Sequence, residues 1–264
     1  MKIKIGVIGC GAIGGELIKY VDNDLKNKAC IIGVFDLNPE ICRSLKKTIY
    51  PNETALVNDA DFIIEAASIS AAQNLIALLL KYEKDALIMS VGAALAKKKE
   101  LSFLKQKGVN VYFPSGAICG IDGLRAAALD DILTVTLITR KPIKGLEAAP
   151  YIVCNKIKLD QIKTEKVVFQ GSAKEAIKAF PKNINVAAML SICGIGARKT
   201  KVKIIASAKV KRNIHEITIT AKAANIYIRT ENIPTAQNPK TSMLAVLSAK
   251  ALLNRVLNRE NFGS

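Results

Sequence analysis

Apolar residues in this chain come in short blocks that alternate with longer amphipathic stretches. The first block, Ile3, Ile5, Val7 and Ile8, is β-branched and bounded by glycine, the pattern of a strand buried in a parallel sheet. Behind it Ile13, Leu17, Ile18 and Val21 recur at helical spacing and share one face. The alternation then repeats. Cys30–Phe35 reads as a second strand, and Asn38–Lys47 as a helix with Pro39 in its first turn. Ala60–Ala66 reads as a strand, with Ser70 capping an apolar helix that reaches Tyr82. Ala86–Val91 is another strand. Ala96–Lys107 is a lysine-rich helix closed by Gly108, and Val109–Phe113 a strand stopped by Pro114. This order predicts an α/β fold, a doubly wound parallel Rossmann-type sheet with right-handed crossovers.

The turn between the first strand and helix reads Gly9-Cys10-Gly11-Ala12-Ile13-Gly14, a Gly-x-Gly-x-x-Gly. Alone, such a motif is an ordinary tight turn. Between a strand and a helix it is a dinucleotide site. Gly9 makes the turn, Gly11 lets backbone N–H groups near a pyrophosphate, and Gly14 lets helix and strand pack closely. The helix start at Ala12 and Ile13 faces the anion. The second strand ends in Asp36, somewhat further from Gly9 than the usual spacing of about 20 residues. A carboxylate there accepts bonds from ribose hydroxyls and repels a 2′-phosphate, so NAD is preferred. Arg43 and Lys46 leave NADP open. Ligands of such sheets lie beyond the carboxyl ends of the strands. The segments there are small: Ala66-Ala67-Ser68, Ser90–Ala93 and Pro114–Ala117.

After about residue 115 strands outnumber helices. Ile132–Thr139, Val167–Phe169, Val202–Ala208, Ile214–Thr220 and Ala224–Arg229 read as strands. Ser172–Phe180 and Ile184–Cys193 read as helices. A second, mixed α+β domain over 115–240 is expected, with residues 1–114 as the dinucleotide-binding part. A long apolar helix from Thr241 to Leu257 is expected to return the 241–264 tail to that first part.

With 264 residues the chain holds one large domain or two small ones. No apolar run is long enough for a bilayer, and the N-terminus runs straight into a strand, so neither a membrane span nor a leader is expected. Six cysteines lack Cys-x-x-Cys spacing and read as reduced thiols in a cytoplasm. The net charge of +17 raises a nucleic-acid surface as one reading. Against it, lysines are scattered, Trp is absent and no basic recognition helix stands out. A solvated surface whose field favours anionic ligands is the plainer account.

The candidate chemistry is sparse. His215 is the single histidine, on a strand where Thr218 and Thr220 face away from His215, Ile217 and Ile219. A lone histidine is often structural, yet removing hydride from an amine or alcohol carbon needs a group that takes and returns a proton near neutrality. Cys119 in Ser115–Gly120 would suit an aldehyde dehydrogenase nucleophile, but no base lies near it in sequence. In Phe180–Ala187 two amides, Asn183 and Asn185, open a helix. Capping accounts for one of them.

Several segments together carry a family resemblance. They are Phe113–Ile118, Val168–Ala176, Phe180–Ala187, Asn213-Ile214-His215, Glu231–Pro234 and Asn238–Met243. With the glycine motif they resemble the L-aspartate dehydrogenases over nearly the whole chain. The resemblance implies oxidation of L-aspartate to iminoaspartate with NAD or NADP, then hydrolysis to oxaloacetate and ammonia, or the reverse amination. It links the family to NAD biosynthesis and implies a homodimer. It makes His215 the acid–base residue, and Ala117 and Asn185 nicotinamide-side contacts. The substrate's two carboxylates need cations or hydroxyls, for which chemistry favours Lys141, Lys240, Thr241 and Ser242. Competing readings are a homoserine- or semialdehyde-type dehydrogenase on the same plan, and a dinucleotide-sensing DNA-binding protein.

Overall fold

The fold is described from a computed structural model over residues 1–180, 185–236, 238 and 241–259. The chain divides into two compact units. The first runs from Met1 to Gly116 and resumes at Ala245. The second spans Ala117–Leu244.

In the first unit strands and helices follow each other as β1 (Ile3–Ile8), α1 (Ala12–Asn23), β2 (Ala29–Phe35), α2 (Pro39–Arg43), α3 (Glu53–Asp59) and β3 (Phe62–Glu65). Then come α4 (Ile69–Tyr82), β4 (Asp85–Ile88), α5 (Gly92–Ala96), α6 (Lys98–Gln106) and β5 (Val111–Tyr112). The five strands are all parallel, in the order β2-β1-β3-β4-β5. Alternate residues face opposite sides. Ile5, Val7, Ile64 and Leu87 pack with Leu17, Ile18 and Val21 of α1, while Ile8, Ile63 and Ile88 pack with Leu56, Leu75, Ile76 and Leu104. Continuous apolar strands are therefore buried on both faces, as a doubly wound sheet requires.

Several boundaries depart from the pattern-based reading. The long helix expected over Asn38–Lys47 stops at Arg43, and Lys46 takes a left-handed φ of 51°. The lysine-rich helix expected from Ala96 starts at Lys98 as α6, and the short helix α5 before it was not expected. The cap of α4 is Ser68 and not Ser70: Ser68 Oγ accepts the Ala71 N–H at 3.2 Å. Helix α3 escapes pattern reading because only Leu56 and Val57 of its seven residues are buried.

The second unit comprises α7 (Ile121–Ala127), β6 (Ile132–Pro142), a 3-10 turn at Ile143–Gly145, α8 (Pro150–Cys154), β7 (Glu165–Ser172), α9 (Ala173–Ala179), α10 (Asn185–Cys193), β8 (Lys201–Ser207), β9 (Asn213–Ala221) and β10 (Asn225–Asn232). Its sheet has the order β10-β9-β6-β8-β7. It is mixed, because β6 and β8 are parallel and the other pairs antiparallel. Helices α7 and α8, of seven and five residues, are too short to show as periodic stretches. The last helix, α11 (Met243–Asn258), packs Ala249 and Leu253 into the core around β1 and α1 of the first unit.

Candidate active site

The carboxyl end of β1 lies where the chain has run to β2 on one side and β3 on the other, the switch point at which doubly wound sheets bind ligands. Gly9 turns there with φ +96°, and a Cβ would sit 2.6 Å from the Ala66 carbonyl carbon. A Cβ on Gly14 would be 1.9 Å from Gly9 O, so α1 can approach the turn only without a side chain. Gly11 caps α1, and a Cβ placed on it meets nothing within 4 Å. That open side adjoins the first-turn N–H groups of Ala12 and Ile13, donors that helix geometry leaves without intrahelical acceptors. A pyrophosphate fits this cradle by shape and by dipole.

Asp36 stands at the end of β2 beside the turn. Its Oδ2 accepts the Cys10 N–H at 2.8 Å and its Oδ1 the Asn38 N–H at 2.9 Å. The carboxylate is thus oriented by backbone while keeping acceptor capacity on both oxygens. Ala67 and Ser68 follow β3, both exposed, with their N–H groups held by the buried Glu65 carboxylate.

In the second unit the register of β6 against β9 sets Thr139 opposite His215. Thr139 Oγ1 lies 3.0 Å from His215 Nδ1, and both side chains are buried. Lys141 follows two residues along β6, so its side chain leaves the same face. It is 6% exposed. Burial pushes the Lys141 ammonium down to about 8. Burial and the neighbouring Lys141 charge push the His215 imidazole down to about 3. The imidazole is therefore neutral near pH 7, and the value near 6.5 that a solvated histidine would bring is not what this site holds.

Strand β10 carries Thr230 opposite His215. Thr230 Oγ1 and Asn232 Nδ2 both donate to the Ala117 carbonyl, at 3.3 and 3.1 Å. Ser242 Oγ donates to Asn232 Oδ1 at 2.5 Å. Two expected residues, His215 and Lys141, thus lie on paired strands, and two more, Ala117 and Ser242, are hydrogen-bonded to Asn232 of β10. Thr241 is half-buried beside Ser242, its carbonyl accepting the Thr235 N–H at 2.8 Å. Asn185 opens α10 and is exposed, as is Cys119. Lys240 and Asn183 lie outside the described residues. The pattern reading missed Thr139, Thr230 and Asn232. Thr139 sits at the same strand parity as Lys141, which sequence shows, but its partner across β9 depends on register.

Comparison with known proteins places these two units. Residues 122–256 match the family model described as aspartate dehydrogenase, C-terminal, and residues 9–114 that of the homoserine dehydrogenase NAD binding domain. L-aspartate dehydrogenase of Methanococcoides burtonii is 43% identical over 99% of this chain and all of that relative. The chain belongs to the L-aspartate dehydrogenase family. A relative of the same name from Nitrosopumilus maritimus is 34% identical over 96% of each chain. The crystal structure of aspartate dehydrogenase from Thermotoga maritima superposes with a TM-score of 0.76 at 27% identity, covering 99% of this chain and 98% of that one. A homoserine dehydrogenase from Thiobacillus denitrificans, with a TM-score of 0.62 at 15% identity, shares the fold alone.

Proposed function

We infer that this protein is an L-aspartate dehydrogenase, an oxidoreductase that interconverts L-aspartate with iminoaspartate, and so with oxaloacetate and ammonia. The observation that carries the reading is the buried Thr139–His215 pair beside Lys141, inside the unit that matches the aspartate dehydrogenase family. The fold and family imply a nicotinamide dinucleotide, and the cradle at Gly9–Gly14 suits its pyrophosphate. When bound, that cofactor accepts or returns the hydride of the substrate carbon.

The chain's own groups supply the rest. Neutral His215 takes the proton that the substrate ammonium must lose. In the tautomer whose Nδ1–H donates to Thr139 Oγ1, Nε2 keeps its lone pair for that proton. Lys141, cationic below about 8, attracts a substrate carboxylate. Thr241 and Ser242, with Lys240, are the candidates for the second carboxylate. Ala117 and Asn185 are candidates for the cofactor's nicotinamide end. Asp36 favours NAD over NADP, because a carboxylate repels a 2′-phosphate. We read the working form as a cytoplasmic homodimer whose iminoaspartate feeds NAD biosynthesis.

The deciding assay follows NADH loss with oxaloacetate plus ammonium, against other keto acids and against homoserine with NAD. Ammonium-dependent turnover of oxaloacetate above the alternatives is expected. Preferred oxidation of homoserine would overturn the reading in favour of the second dehydrogenase class.

A further inference from the structure

Glu65 closes β3 and is fully buried, at 0% exposure. Four donors meet its carboxylate. Oε1 accepts the Ala67 N–H at 2.8 Å, the Ser68 N–H at 3.0 Å and the Ser90 hydroxyl at 2.9 Å. Oε2 accepts the Ser90 N–H at 3.0 Å. Burial raises the carboxyl's pKa, and the four bonds, each of which lowers it, offset that only in part. Backbone N–H groups can only donate, so three of the four contacts need an acceptor, which a carboxylate supplies from both oxygens.

Burying a carboxylate is costly, and a strand end does not require one. These bonds share a purpose that position reveals. They tie the loop after β3 to the loop after β4, two neighbouring carboxyl ends of a parallel sheet. The same β3 loop forms the surface on which the glycine turn rests, since the Ala66–Ala67 peptide is what a Cβ on Gly9 would strike. The Ala66 N–H also donates to Ile8 O at 2.8 Å. The turn after β1, the loop after β3 and the start of the loop after β4 are therefore held in one hydrogen-bonded unit around a single carboxyl group.

We propose that Glu65 is a positioning residue of the dinucleotide site, fixing Ala67, Ser68 and Ser90 in the arrangement that receives the cofactor. It acts through those residues and does not itself touch the cofactor. The proposal rests on the dinucleotide reading of the first unit and is independent of the substrate.

Glu65→Gln tests it with the shape kept. The amide has one acceptor oxygen and an NH₂ group, so either orientation sets a donor against a donor. The full-length protein is titrated with NADH by fluorescence, without substrate and well below the melting temperature. NADH affinity is expected to fall about tenfold or more, with the KM for NAD rising and that for aspartate unchanged. A role confined to stability predicts a lower Tm with NADH affinity intact, and that result overturns the proposal. If Glu65→Gln does not fold, Ser90→Ala decides, since it leaves the carboxylate and its three backbone bonds. A loss of NADH affinity of about threefold supports the proposal, and an unchanged affinity overturns it. A parent protein that binds NADH but turns over no aspartate would end the functional reading and leave Glu65's role testable as stated.

Discussion

A buried base and a buried cation side by side decide what each residue can do. His215 held near 3 is a neutral imidazole throughout the working range, ready to accept a proton but reluctant to keep it. On the proposed reading, a substrate carboxylate bound near Lys141 raises both values, which would couple proton uptake to substrate binding. His215→Ala should lower kcat by at least about a hundredfold while NADH still binds. Near-normal turnover in a folded variant would leave His215 as a core residue. Asp36 is the second residue for which a chemical role is proposed. Asp36→Ala should weaken NAD more than NADP, measured as the ratio of the two kcat/KM values. It should also loosen the glycine turn, because the Cys10 N–H loses its acceptor. An unchanged ratio would remove Asp36 from cofactor choice.

Individual elements are set by local devices of different legibility. Strands β1 and β3 are plain in the sequence because both faces are buried over Ile5–Ile8 and Phe62–Ile64, so no polar alternation interrupts those stretches. Helix α9 has a full capping box, with Ser172 Oγ accepting from the Glu175 N–H and Glu175 reaching back to the Ser172 N–H. Ser172→Ala should cost about 1 kcal/mol of stability, read as a shifted urea midpoint. Helix α1 depends on close approach instead. Gly14→Ala places a methyl group on Gly9 O, which must drive the helix outward. About 1–3 kcal/mol of destabilisation is expected, with a weakened affinity for NADH. Unchanged NADH binding would show that the turn tolerates a wider spacing. Short helices such as α3 and α8 bury one or two side chains each, too few to leave a period in the sequence.

At the scale of the whole molecule the buried pair makes stability depend on pH. Unfolded, His215 takes up its proton near 6.5, whereas folded it holds out to about 3. Between those values the unfolded chain binds the extra proton, so stability falls as the pH falls through that window. Lys141 acts in the same sense between about 8 and 10.5, where only the unfolded chain keeps the proton, so stability rises with pH there. Urea unfolding of the parent and of His215→Gln at pH 7 and pH 4.5 checks the first window. The parent should lose more stability than the variant on acidification, and equal losses would mean a solvated imidazole. The positive net charge adds a field that favours the anionic cofactor and substrate, but it does not choose the fold. The class of that fold was legible along the chain, because strand and helix periods are local and a glycine turn followed by Asp36 needs no distant partner to be recognised. The mixed sheet, the single histidine and the sites of Lys141 and Ser242 were visible as residues in the same way. What they touch was not. The Thr139–His215 contact, the grip of Thr230 and Asn232 on Ala117, and the two bonds from Ser90 to Glu65 join residues far apart in sequence. Strand order and register bring such groups together, and those follow from how the buried faces pack in three dimensions, which no one-dimensional period records.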